Sequence, residues 1–201
     1  MKTIFCHSLA LVAFCVFGSA AQAAGFSTVV IDPGHGGHDK GGQWGQVYEK
    51  HLALDTATRL ESQLRQKGFR TVMTRRSDYF ISLPQRVSIA NRYRNAIFVA
   101  VHYNYTWKPD VNGLETYYNT PQSEQLARCV HACMTKRVRT ADRGVKSARY
   151  YVIRNTTIPA ILVECGFVSN AAERSRMKSA WFRDSLARGI AEGIVRYRNS
   201  L

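Results

Sequence analysis

The sequence predicts an α/β domain: one mostly parallel, twisted sheet of about six strands, covered by helices on both faces. Three observations predict it. Short β-branched runs alternate with longer segments at helical spacing. The runs are too continuously apolar for strands with one wet face. The chain, at 201 residues, is long enough for one core and hardly two.

The first 23 residues read as an address rather than as fold. Lys2 precedes an apolar run from Ile4 to Phe17, and small residues then lead to Ala21-Gln22-Ala23. That is the three-part pattern of a secretory leader cut after Ala23. The run falls short of the roughly 20 apolar residues that span a bilayer. A mature domain of residues 24–201 is therefore expected, exported to a periplasm or out of the cell and without a membrane anchor.

Ser27 to Ile31 is β-branched and stopped by Asp32-Pro33-Gly34, so a buried strand enters a loop that stays glycine-rich through Gly45. From Val47 to Lys67, Leu52, Ala57, Leu60 and Leu64 fall at helical spacing, and Gly68 closes the helix. Phe69 to Thr74 reads as the second strand, Pro84 to Arg94 as a helix, and Ala96 to Val101 as a strand ending at His102. Asn112-Gly113 marks a turn before the strand Leu114 to Tyr118, and Ser123 to about Val138 makes a helix. Tyr150 to Ile153 and Pro159 to Val163 supply two more strands. After the N-cap pair Ser169-Asn170 the chain is helical from Ala171 to about Arg196, interrupted near Ser179.

Composition narrows the function. A chain that is 45% hydrophobic and 21% charged is neither a disordered tail nor a coiled coil. Its 28 Lys and Arg against 14 Asp and Glu give a net charge of +14, which favours an anionic partner: nucleic acid, a membrane surface or an acidic polymer. Export sets nucleic acid aside. Cys6 and Cys15 fall in the leader, leaving Cys129, Cys133 and Cys165. An odd thiol count excludes a disulfide scaffold. Cys129 and Cys133 share a helix face, a spacing that seldom suits a disulfide, and Cys165 is expected in the core.

The chemistry concentrates at strand ends. His35 sits in Asp-Pro-Gly-His-Gly-Gly directly after the first strand, without the spacing of either common phosphate-binding loop. Glu49 opens the long helix, where the helix dipole alone would favour a carboxylate. His102 and Glu164 each end a strand. Two imidazoles and a carboxylate match the ligand set of a catalytic zinc with a position open for water, and a second carboxylate can act as base.

Eight ordered blocks then make a resemblance specific. They are Val29 to Gly37, Glu49 with Leu52 and Leu54, Thr74-Arg75, Leu83 with Arg86 and Ala90-Asn91, Val101 to Asn104, Gly113 to Tyr118, Asp142 to Lys146, and Pro159 to Asn170. The mature chain resembles the zinc-dependent N-acetylmuramoyl-L-alanine amidases of the Amidase_3 family. The resemblance implies that His35, Glu49 and His102 bind one Zn²⁺ per chain and that Glu164 is the catalytic carboxylate. It implies hydrolysis of the amide between the lactyl group of N-acetylmuramic acid and L-alanine, with peptidoglycan as the partner. A monomer is expected.

Tyr103 stands where relatives often carry a small residue, and alternation turns it to the opposite side from His102. Arg86, Asn104 and Glu115 are candidates for substrate contact, the last two also for orienting His102. Asp32 is expected to steady the loop under His35, and His38, His51 and His131 to lie on the surface. Residues 119–141 have room for one helix, so activity in the domain alone is expected. The competing readings are a silent peptidoglycan-binding relative and a zinc carboxypeptidase acting on stem peptides.

Overall fold

The computed structural model describes residues 25–201; the expected leader lies outside the described residues. The chain runs β1 (Thr28–Pro33), a two-residue hairpin of β2 (Gln43–Trp44) and β3 (Val47–Tyr48), α1 (Glu49–Gln66), β4 (Arg70–Met73) and α2 (Leu83–Ala90). It continues through β5 (Ala96–Asn104), β6 (Leu114–Tyr118), α3 (Pro121–Arg137), β7 (Asp142–Ser147) and α4 (Tyr151–Asn155). It ends with β8 (Ala160–Phe167), α5 (Ala171–Met177) and α6 (Ala180–Arg198). Six strands form one sheet in the order β4-β1-β5-β8-β6-β7. The β4, β1, β5 and β8 neighbours are parallel, β6 is antiparallel to β8, and β7 is parallel to β6.

Period-two alternation splits the strands between two cores. Val29, Ile31, Val99, Val101, Ile161 and Val163 face α1, α3 and α6, while Val30, Phe98, Ala100, Ala160 and Leu162 face the short helices α2 and α4. The first face is thick and closed. The second is covered only by two short helices, of 8 and 5 residues.

Three expectations need correction. Tyr150 to Ile153 is not a strand but the cap and first turn of α4, because Val152 and Ile153 bury together against the sheet and tertiary packing overrides their β propensity. The first helix starts two residues later than its apolar spacing suggests, since Val47 and Tyr48 pair with Gln43 and Trp44. The strand β7 is absent from the expected set: it is an edge strand of Asp-Arg-Gly-Val-Lys-Ser in which only Val145 packs on the core. Ser179 does interrupt the last helix, as its α6 N-cap, and Asn170 caps α5 by accepting from the Glu173 amide.

The helices α3 and α6 pack at backbone distance. Gly189 and Gly193 lie one turn apart on α6, and a Cβ on Gly193 would sit 2.3 Å from the Val130 Cα and 2.7 Å from the Cys129 carbonyl oxygen. That approach buries Val130, Met134, Ile190 and Ile194 completely. Gly193→Ala should therefore cost about 1–3 kcal/mol of stability through overpacking, despite the better helix propensity of alanine. Urea denaturation measures it, and an unchanged or raised midpoint would contradict the close approach.

Candidate metal centre

The site is built where β1 leaves the sheet. Asp32 is 1% exposed and accepts from Thr74 Oγ1 at 2.5 Å and from Arg86 Nη1 at 2.7 Å. Arg86 also donates to the carbonyls of Pro33 (2.7 Å), His35 (2.6 Å) and Ile81 (3.0 Å). A second buried guanidinium, Arg75, donates to the carbonyls of Pro33, Gly34 and Lys50. Together they hold the loop in a conformation in which His35 has φ 58°, uncommon for any residue but glycine. Gly34 is required for space: a Cβ there would lie 2.3 Å from the His102 ring. The expected role of Asp32 beneath the loop is what the structure shows. Arg86, a candidate for substrate contact, is committed instead to the loop's carbonyls and to Asp32.

This loop brings His35 against Glu49 and His102. One oxygen of the Glu49 carboxylate, Oε1, lies 3.1 Å from His35 Nε2 and 2.8 Å from His102 Nδ1. The potential ligand atoms of the three residues all lie within 4.8 Å of one another. Glu49 is 4% exposed; its Oε1 accepts from the Tyr103 amide and its Oε2 from the Gly42 amide. Burial alone would raise its pKa, but the bonds from His102 and His35 outweigh burial and hold it far below the usual carboxylate range. For His35, burial works against the charged form, yet Glu49 and Asp39 together raise its pKa. Asp39 accepts from His35 Nδ1 at 2.8 Å, so it fixes which ring nitrogen faces the cluster.

Glu164 lies on β8 directly across from His102 on β5, and its Oε2 is buried with no hydrogen-bond partner. An orphaned buried oxygen is rare and calls for a bound group or water to satisfy it. Burial, then the charges of Glu49 and Glu115, push the Glu164 carboxyl well above its usual range. Two imidazole nitrogens and a carboxylate converging on one point, with a second carboxylate beside them, fit the nitrogen and oxygen donor preference of zinc.

On the far side of Glu164, Glu115 of β6 stands opposite it in register. Glu115 is 3% exposed. Its Oε1 accepts from Lys146 Nζ (2.5 Å) and Arg143 Nε (2.8 Å), and its Oε2 from Asn104 Nδ2 (2.8 Å) and the Tyr117 hydroxyl (2.7 Å). Asn104 and Glu115 thus bond each other rather than orienting His102. Tyr103 faces the opposite core, fully buried, with its hydroxyl 2.7 Å from Thr56 Oγ1. His38 and His51 are exposed as expected. His131 is not: it is 5% exposed and joins α3 to the sheet through Thr116 Oγ1 and Asp142. Cys165 is buried, and Cys129 and Cys133 are free thiols. A cavity of about 410 Å³ opens beside the cluster, between His35, His102, Phe80, Tyr151 and Leu162.

Fold and site together define an α/β domain with a His-Glu-His cluster that could hold a metal ion, beside the carboxyl ends of its central strands. Residues 29–196 match the Amidase_3 family, N-acetylmuramoyl-L-alanine amidase, and the chain belongs to that family. It is 37% identical over 174 residues to N-acetylmuramoyl-L-alanine amidase LytC of Bacillus subtilis, an alignment covering 85% of this chain and 35% of that protein. The chain therefore spans about a third of that relative's length. Among solved structures, the amidase AmiC2 of Nostoc punctiforme superposes with a TM-score of 0.81 at 39% identity, covering 85% of this chain and 96% of that one. The catalytic domain of CwlV, an amidase from Bacillus (Paenibacillus) polymyxa var. colistinus, gives 0.83 at 38% identity, covering 86% and 98%.

Removing Arg86 would strand the buried Asp32 carboxylate, so Arg86→Ala is expected to lower stability by about 3–5 kcal/mol in chemical denaturation. Unchanged stability with a raised KM would return Arg86 to the role of a substrate contact.

Proposed function

We propose that the chain is an exported zinc-dependent N-acetylmuramoyl-L-alanine amidase, which hydrolyses the amide between the lactyl group of N-acetylmuramic acid and L-alanine in peptidoglycan. The observation that carries the reading is the convergence of His35, Glu49 and His102 beside the unpartnered Glu164 carboxyl. In this reading the three residues hold one Zn²⁺. When bound there, zinc supplies a Lewis acid for the amide carbonyl and lowers the pKa of water towards roughly 7. Glu49 and the imidazoles set the donor geometry, with Asp39 orienting His35. Glu164 takes the proton of the attacking water and passes it to the departing L-alanine amine, so the amine leaves neutral. The amidase names of the relatives support the bond assignment, and the basic charge suits an anionic wall polymer. Among the described residues no helix is long and apolar enough to cross a membrane. The working form is a monomer in a periplasm or outside the cell.

Mass spectrometry of digested peptidoglycan should find stem peptides beginning with L-alanine, lost with a chelator and restored by zinc. Freed D-alanine with the lactyl amide intact would mean a carboxypeptidase, and intact wall that still captures the protein a silent binder. Glu164→Ala should keep stoichiometric zinc by elemental analysis while turnover falls at least about 100-fold. His35→Ala or His102→Ala should lose metal and activity together; full zinc occupancy in either would contradict the ligand set.

A further inference from the structure

The register of the sheet sets out a row of groups that differs at its two ends. His102, Glu164 and Glu115 are cross-strand neighbours on β5, β8 and β6, so their side chains project from the same face, the one covered only by α2 and α4. Lys146 pairs with Tyr117, two residues along from Glu115, and projects from that face as well. At the β7 end, Lys146 and Arg143 both bond Glu115 Oε1. Two cations share one carboxylate, so the end keeps a net positive charge. The Glu115 side chain is buried while those of Lys146 and Arg143 are 40% and 36% exposed, so their outer N–H groups reach solvent from an anchored base. At the β1 end lies the 410 Å³ cavity, whose walls include Phe80, Tyr150, Tyr151 and Leu162. An apolar, aromatic pocket suits a ligand that has C–H faces.

We propose that the cleft reads its substrate in one direction: Lys146 and Arg143 bind the α-carboxylate of the second stem residue, and the Phe80–Tyr151 pocket takes the muramyl sugar. The inference rests on the amidase reading and adds to it the two groups that orient the substrate. A stem peptide whose second residue is γ-linked glutamate presents a free α-carboxylate close to the scissile amide, and ammonium and guanidinium donors bind carboxylates by charge-assisted hydrogen bonds. A pyranose ring presents C–H faces to aromatic rings. Glu115 is a positioning residue here. It holds both cations and leaves their remaining donors pointing outward.

The test uses two soluble muropeptides that differ only in that carboxyl, free in one and an amide in the other, with the zinc-loaded protein. Lys146→Ala should lower kcat/KM on the carboxylate substrate by about 10- to 100-fold, mostly through KM, and leave the amide substrate within about twofold. Activity on the amide substrate reports that the variant is folded. Lys146→Arg should retain the preference for the carboxylate. Tyr151→Ala should lower kcat/KM about two- to tenfold on both substrates alike. Equal losses on both substrates in Lys146→Ala, or no loss on either, would overturn the cation subsite. A Tyr151→Ala effect confined to the carboxylate substrate would overturn the assignment of sides. Wild-type protein that cleaves neither muropeptide would overturn the amidase reading, and the proposal with it.

Discussion

Two guanidiniums, Arg75 and Arg86, direct half of their hydrogen bonds at the carbonyls of Pro33, Gly34 and His35, and Arg86 also neutralises Asp32. The cluster depends on this clamp. A glycine-rich loop has many accessible conformations, and freezing one of them costs backbone entropy at every residue. His35 faces Glu49 from a left-handed conformation that is uncommon for any residue but glycine. Buried bonds to charged donors offset the cost, because in a site of low dielectric each carbonyl would lose more by going unpaired than an exposed one would. The arginines thus act on chemistry they do not touch.

The second constraint is the unequal cover of the sheet. Along β5 the residues facing α2 and α4 run Phe98, Ala100, His102, and along β8 they run Ala160, Leu162, Glu164. In both strands this face is apolar up to its last position, which is polar. The opposite face stays apolar to the end, with Val101 and Tyr103 on β5 and Val163 and Cys165 on β8 in the closed core. Neighbouring residues with opposite duties are therefore fixed by one backbone. Tyr103 anchors β5 through Thr56, while its amide donates to Glu49, so the strand that carries His102 also orients Glu49.

Much of this is legible in the sequence, and the remainder fails for identifiable reasons. His35, Glu49, His102 and Glu164 stand out because a glycine-flanked histidine and groups ending apolar strands break the local pattern. Arg75 and Asp39 leave no such trace, since an arginine after a strand or an aspartate in a loop reads as a solvated residue until the fold buries it. The strand β7 is obscured by its charges, which serve Glu115 instead of a core. Val152 and Ile153 carry a strand's composition into a helix because burial against Leu162 and Phe98 matters more than propensity. His131 looks like one more polar residue on an amphipathic helix, and its partners Thr116 and Asp142 are contributed by the two strands that flank α3 in the chain.

The basic excess gains meaning from where the acids go. Asp32, Glu49, Glu115, Glu164 and Glu173 are buried, and Asp55 and Glu61 are each bonded to two arginines. With seven of the 14 acids thus buried or bonded to arginines, the excess of +14 is carried by exposed lysines and arginines. Such a surface attracts an anionic polymer over distances comparable to the Debye length, about 8 Å at physiological salt, and so raises encounter rates without defining where the polymer is cut. On the proposed reading the cut is positioned by groups set into the sheet, where charges are partly desolvated and salt screens them less. Attraction and positioning are thus separate in this protein: one belongs to the exposed lysines and arginines, the other to a row of carboxylates and imidazoles that the strand register aligns.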